Sequence, residues 1–216
     1  MRRRKTFAAA FFIALFAVAC SGNPEPEPVE PPPPPPPPPP AVVDDTAERE
    51  AAASRLCDRA TAAMQSGDYS TAADILRQVL RDYPGTECAQ LAPDVIARAE
   101  AAVAITARIQ FDFNLAQITD EAAAILRDKS DALRAYPDVM ITIEGHADER
   151  GSLEYNQALG LRRAQAATEY LVSLGLDGSR FRVVTYGEER PIASGANEDA
   201  WRQNRRAEFV ITSGDF

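Results

Sequence analysis

The chain is poor in the side chains that hold soft metals. It has one histidine, His146, and three cysteines, Cys20, Cys57 and Cys88, in 216 residues. That leaves too few soft ligands for a zinc site or an iron–sulfur cluster, and no metal site is expected; no CxxC spacing is present to make a dithiol redox motif. Positive charge is scarce as well. Against 32 Asp and Glu stand 23 Lys and Arg, a formal net charge of −9, which argues against nucleic acid and against adhesion to an anionic membrane. Long apolar runs are missing except Phe7–Ala19, so a polytopic membrane protein is excluded. A single tryptophan, Trp201, leaves no aromatic-rich cleft for a sugar. What remains, 45% hydrophobic and 25% charged, is ordinary for a globular protein. Only the prolines are unusual, because ten of the 17 form one run, Pro31–Pro40.

Arg2, Arg3, Arg4 and Lys5 precede the apolar run, which is short for a bilayer span and right for a signal h-region. It closes as Leu15-Phe16-Ala17-Val18-Ala19-Cys20, small residues leading into a cysteine. The segment resembles a bacterial lipoprotein lipobox, with Ala17 where such boxes usually carry Leu. The resemblance implies a signal peptide over residues 1–19 and lipidation of Cys20. Because Ser21 rather than Asp follows, it also implies an anchor in the outer membrane, facing the periplasm. Several acyl chains on one cysteine give stable attachment. Residues 20–43 carry no helical or strand period. Their proline run fixes φ and lacks N–H donors, so it is expected to form an extended polyproline II spacer about 30 Å long.

Residues 44–106 are Ala-rich and helix-forming. An antiparallel helix pair is predicted over 47–66 and 70–82, with a third helix near 91–106. Ala72, Leu76 and Pro84 fall at the positions of a tetratricopeptide pattern, while Arg59 stands where Leu is usual. A module this small reads either as a helical spacer or as a place to recruit an envelope partner. In an oxidising compartment the two thiols left after lipidation, Cys57 and Cys88, are expected to pair. The bond would clamp the hairpin by about 2–4 kcal/mol.

Residues 107–216 alternate in period. Strands are predicted over 109–113, 139–145, 181–186 and 207–211, and helices over 120–135 and 155–174. That order gives an α+β fold, a βαβαββ sandwich with a mixed sheet and helices on one face. Its motifs are specific: Gly145-His146-Ala147-Asp148-Glu149-Arg150-Gly151, then Glu154-Tyr155-Asn156, Leu159-Gly160-Leu161-Arg162-Arg163-Ala164, Tyr186-Gly187 and Asn204-Arg205-Arg206-Ala207. Together they resemble the OmpA-like domain family, and within it the peptidoglycan-associated lipoproteins.

The resemblance implies non-covalent binding of peptidoglycan through the diaminopimelate of its stem peptide. That ligand is a zwitterion, so its site needs a fixed anion beside a fixed cation. Carried over by motif, Asp148 binds the ammonium, Arg163 the carboxylate, and Asn156 positions the loop. Asp112 and Asn114 form the opposite wall, and Arg206 reaches the ligand, with Arg205 a close competitor. Both Asp148 and Arg163 are expected to be exposed in a pocket. An internal Asp148–Arg163 ion pair is the alternative that spacing alone leaves open. His146 reads as a structural histidine, and Trp201 as an anchor of the last loop on the core. Asp148 and Glu154 share one short loop, which does not suit a glycosidase pair. No nucleophile or metal set points to catalysis, so the chain is expected to be a binding protein without cofactor. Its partners are then the cell wall, the outer membrane and, by resemblance, a TolB-like periplasmic protein. The alternative is an envelope scaffold that recruits a Tol-type or cell-division partner through the helical module.

Overall fold

The computed structural model describes residues 45–214; the expected signal peptide, lipidated Cys20 and proline spacer lie outside the described residues. Three helices come first, α1 (Thr46–Ser66), α2 (Tyr69–Asp82) and α3 (Glu87–Thr106). Gly67 closes α1 with a φ of 79°, the left-handed stop that glycine adopts without strain. Asp68 then caps α2 by accepting from the Thr71 N–H. The two helices pack small on large: Ala53 and Ala60 face Leu76 and Val79 in a core that also takes in Cys88, Ala89 and Ala92. Cys57 and Cys88 are joined in a disulfide with their Cα atoms 6.2 Å apart, tying α1 to α3. The third helix starts at Glu87 rather than near 91, because the Thr86 hydroxyl accepts from the Ala89 N–H and caps it there. Pro93 is tolerated inside the helix at the loss of one backbone hydrogen bond.

The sheet follows: β1 (Ile109–Gln110), α4 (Asp120–Ala135), β2 (Met140–His146), α5 (Leu153–Ser173), a 3-10 turn (Gly178–Arg180), β3 (Phe181–Gly187), α6 (Glu198–Asn204) and β4 (Arg206–Ser213). Strand order is β1-β4-β2-β3. The neighbours β2 and β3 are parallel, and β4 runs antiparallel to both β2 and β1. Alternation in β2 sends Ile141 and Ile143 into a core with Leu126, Leu133, Ala164, Leu171 and Phe209. The opposite face of the strand then carries Thr142, Glu144 and His146. Helix α5 lies directly on β2. A Cβ at Gly145 would stand 1.8 Å from the Gly160 carbonyl oxygen, so both glycines are required for the approach.

Two differences from the sequence reading bear on the site. The predicted first strand stops at Gln110. Residues 112–115 instead form a turn with the Leu115 N–H donating to the Asp112 carbonyl, and Asn114 adopts a φ of 59°. Helix α5 begins at Leu153, two residues early, because the Ser152 hydroxyl accepts from the Tyr155 N–H. Asn156 therefore sits in its first turn.

Helix α3 ends inside the sheet domain, where Ile105 joins the core of Leu126 and Phe209. Lys129 of α4, fully buried, donates to the carbonyls of Ala104 (3.0 Å), Ile105 and Ala107 (3.0 Å). Its ammonium lies 3.8 Å from the centre of the Phe209 ring. The carbonyls that a helix C-terminus leaves unpaired are thereby satisfied by one side chain. Among the described residues no helix is long and apolar enough to cross a membrane.

Candidate functional site

A cavity of about 300 Å³ opens where β2 ends and α5 begins, lined by Phe113, Asn114, Asp148, Arg150, Asn156 and Arg163 among others. Three segments build it: the 112–115 turn, the 147–152 loop and the first three turns of α5. Asn156 fixes the loop from below, its amide donating to the Asp148 carbonyl (3.1 Å), the Arg150 carbonyl (3.4 Å) and the Glu188 carboxylate. On the other wall Asn114 accepts from the Tyr155 hydroxyl.

Asp148 and Arg163 line this cavity but are buried, at 4% and 0% exposure, which corrects the expectation that both stand exposed. The ion-pair alternative is not what forms either. One Asp148 carboxylate oxygen accepts from the Arg150 backbone N–H (3.1 Å) and Nε (3.0 Å), the other from Arg150 Nη2 (2.7 Å) and Arg205 Nη1 (3.4 Å). Burial pushes this carboxyl upward, but the Arg150 hydrogen bonds and charge, with Arg205, outweigh it and hold the group below the usual carboxylate range. The Arg150 guanidinium is itself clamped 4.0 Å from the centres of the Phe113 and Trp201 rings. Trp201 thus holds Arg150 instead of anchoring on the core, and its Nε1 donates to Glu149.

Arg163 is held by backbone. Nε donates to Leu115 O (2.9 Å), Nη1 to His146 O (2.8 Å) and Nη2 to Asp112 O (3.1 Å). A guanidinium has five N–H donors, so two remain beyond those three bonds. Burial pulls its pKa down to about 10, which leaves it cationic at neutral pH. Arg150 and Arg205 are each shared between Asp148 and Glu198, whereas Arg163 is bonded to backbone carbonyls alone. That leaves Arg163 as the guanidinium able to meet a ligand carboxylate.

Two predicted residues stand apart. Asp112 contributes its carbonyl to Arg163 and lines, with Arg205 and Arg206, a separate cavity of about 470 Å³ beside β1. Arg206 is buried there, bonded to the Glu208 carboxylate (2.7 Å) and the Arg190 carbonyl (3.1 Å). Its neighbour Arg205 reaches Asp148, with Nε on the Phe111 carbonyl and Nη2 on Glu198. Arg205, which ends α6, and Arg206, the first residue of β4, diverge: Arg205 reaches Asp148 while Arg206 turns to Glu208. The side chain sequence reasoning missed is Arg150, although it lies in the same motif two residues after Asp148.

This strand-end cavity sits within an OmpA family domain, whose family model matches residues 110–205. Several relatives bear one name. The peptidoglycan-associated lipoprotein of Rhizobium meliloti strain 1021 is 50% identical over 104 residues, which is 48% of this chain and 59% of that protein. That of Pseudomonas putida is 41% identical over 110 residues, 51% of this chain and 66% of that protein. This chain thus spans about three fifths to two thirds of the length of these relatives. A crystal structure of the peptidoglycan-associated lipoprotein from Burkholderia pseudomallei aligns at 39% identity with a TM-score of 0.48, covering 49% of this chain and 89% of that one.

Proposed function

We propose that this chain is an envelope lipoprotein that binds peptidoglycan without a covalent bond, through the diaminopimelate of the stem peptide, and tethers the outer membrane to the wall. The observation that carries the reading is the 300 Å³ cavity in which a buried anion, Asp148, and a buried cation with unused donors, Arg163, meet. The names of the relatives support it. In this reading the ligand carboxylate takes the remaining N–H pair of Arg163. Its ammonium takes Asp148, which requires Arg150 to turn aside. Lipid on Cys20 and the proline spacer would supply the membrane end. The role is binding, and no reacting group is assigned.

Co-sedimentation of the purified protein with sacculi tests this. Wild type is expected in the pellet, and Asp148→Asn, which keeps the side-chain shape and removes the charge, is expected to bind at least about ten-fold more weakly. Because Asp148 is buried, circular dichroism must show that the variant is folded. A folded wild type that stays in the supernatant refutes the reading.

A further inference from the structure

His146 is 1% exposed, and among the described residues neither of its ring nitrogens has a hydrogen-bond partner. A buried imidazole ordinarily has at least one, so the group calls for something the protein does not itself supply. The ring stacks on Tyr186 at a centroid distance of 5.6 Å. On the same face of β2, two residues back, is Glu144, and the strand register sets Glu144 directly opposite Glu208 of β4. Like charges in that position repel. Burial and the facing Glu208 raise the Glu144 carboxyl above its usual range. One ligand atom each from Glu144, His146 and Glu208 lie within 4.8 Å of one another.

We propose that Glu144, His146 and Glu208 form a binding site for a divalent transition metal of the zinc type. Imidazole with carboxylates selects such an ion over magnesium or calcium, and three protein ligands leave a fourth position for water. In a tetrahedral site with bonds of about 2.0–2.2 Å the ligand atoms stand about 3.4 Å apart. The two partly buried glutamates reach that spacing by turning their side chains inward. Arg206 grips one Glu208 oxygen at 2.7 Å and Arg108 approaches it at 3.6 Å. They orient that ligand as an outer shell does, and their charge, with that of Arg190, moderates the affinity. Such a site departs from the expectation of no zinc site, which counted soft ligands alone: two of the three ligands here are carboxylates. The site lies on the sheet face away from α5 and does not depend on the peptidoglycan reading.

The single histidine makes the test unambiguous in full-length protein purified without any added histidine. Cu²⁺ is the spectroscopic probe, and pulsed EPR should show the remote-nitrogen modulation of one imidazole, which only His146 can give. Zn²⁺ should displace the signal. Titration calorimetry with Zn²⁺ should give one site per chain, and Glu144→Gln, at a partly exposed position, should weaken it by about ten-fold while leaving the metal-free melting temperature within a degree or two. Absence of the imidazole modulation, or Zn²⁺ binding that Glu144→Gln does not change, overturns the proposal.

Discussion

Among the described residues Lys129 and Arg163 are the two cations at 0% exposure, and both donate to three backbone carbonyls. They do different work. An ammonium has three N–H donors, and Lys129 has three acceptors, so its capacity is filled at the junction of α3 with α4. Arg163 has two donors beyond its three carbonyls, a cavity beside it and Asp148 close by. A buried charge whose donors are all matched closes a structure, whereas one with donors to spare beside a cavity is equipped to meet a ligand.

The strongest way to break the comparison is to remove the closed cation. Lys129→Met keeps most of the volume and leaves three carbonyls without their donor. Each such loss costs about 1–3 kcal/mol, partly offset because an ammonium no longer has to be buried. A net destabilisation of about 2–4 kcal/mol in urea melts is expected, with sacculus binding unchanged at temperatures where the protein is folded. Wall binding lost by a folded Lys129→Met would erase the distinction between the two cations.

Arg163→Lys sharpens it from the other side. The charge stays, but a lysine cannot hold three divergent carbonyls and also present a planar pair of donors. Sacculus binding is expected to fall at least about ten-fold, or about 1.4 kcal/mol, in protein whose far-ultraviolet dichroism is unchanged. Undiminished binding would mean that point charge alone suffices and that the spare donors are not used.

Periodicity and caps made most of the scaffold readable. The predicted helix over 120–135 matches α4, and the motif around Asp148 marked the strand end where the cavity lies. What escaped depends on contacts between distant segments. Lys129 carries no sign in the sequence that it faces inward, because a lysine on an amphipathic helix ordinarily lies at its polar edge. The pairing of Asp148 with Arg150 and Arg205 is set by the rings of Phe113 and Trp201, residues 88 positions apart in sequence. Helix α6 stands where the sequence pattern predicts a loop, although its signals are present: Asn197 accepts from the Ala200 N–H as a cap, and Glu198 and Asp199 sit in the first turn. The helix is two turns long, too short for an apolar period to register.

Titration separates the two cations most finely. Burial pulls Lys129 from its ordinary 10.5 down to about 7, while the same cause leaves Arg163 at about 10. For Lys129 the folded state therefore binds fewer protons than the unfolded chain between pH 7 and 10.5, and stability rises with pH across that window. The increase from pH 7 to 9 is expected to be about 2 kcal/mol in the wild type. Lys129→Met should lack that increment. Parallel pH profiles for wild type and Lys129→Met would show instead that the three carbonyls hold the ammonium charged throughout, so that donor matching outweighs burial even where no water reaches.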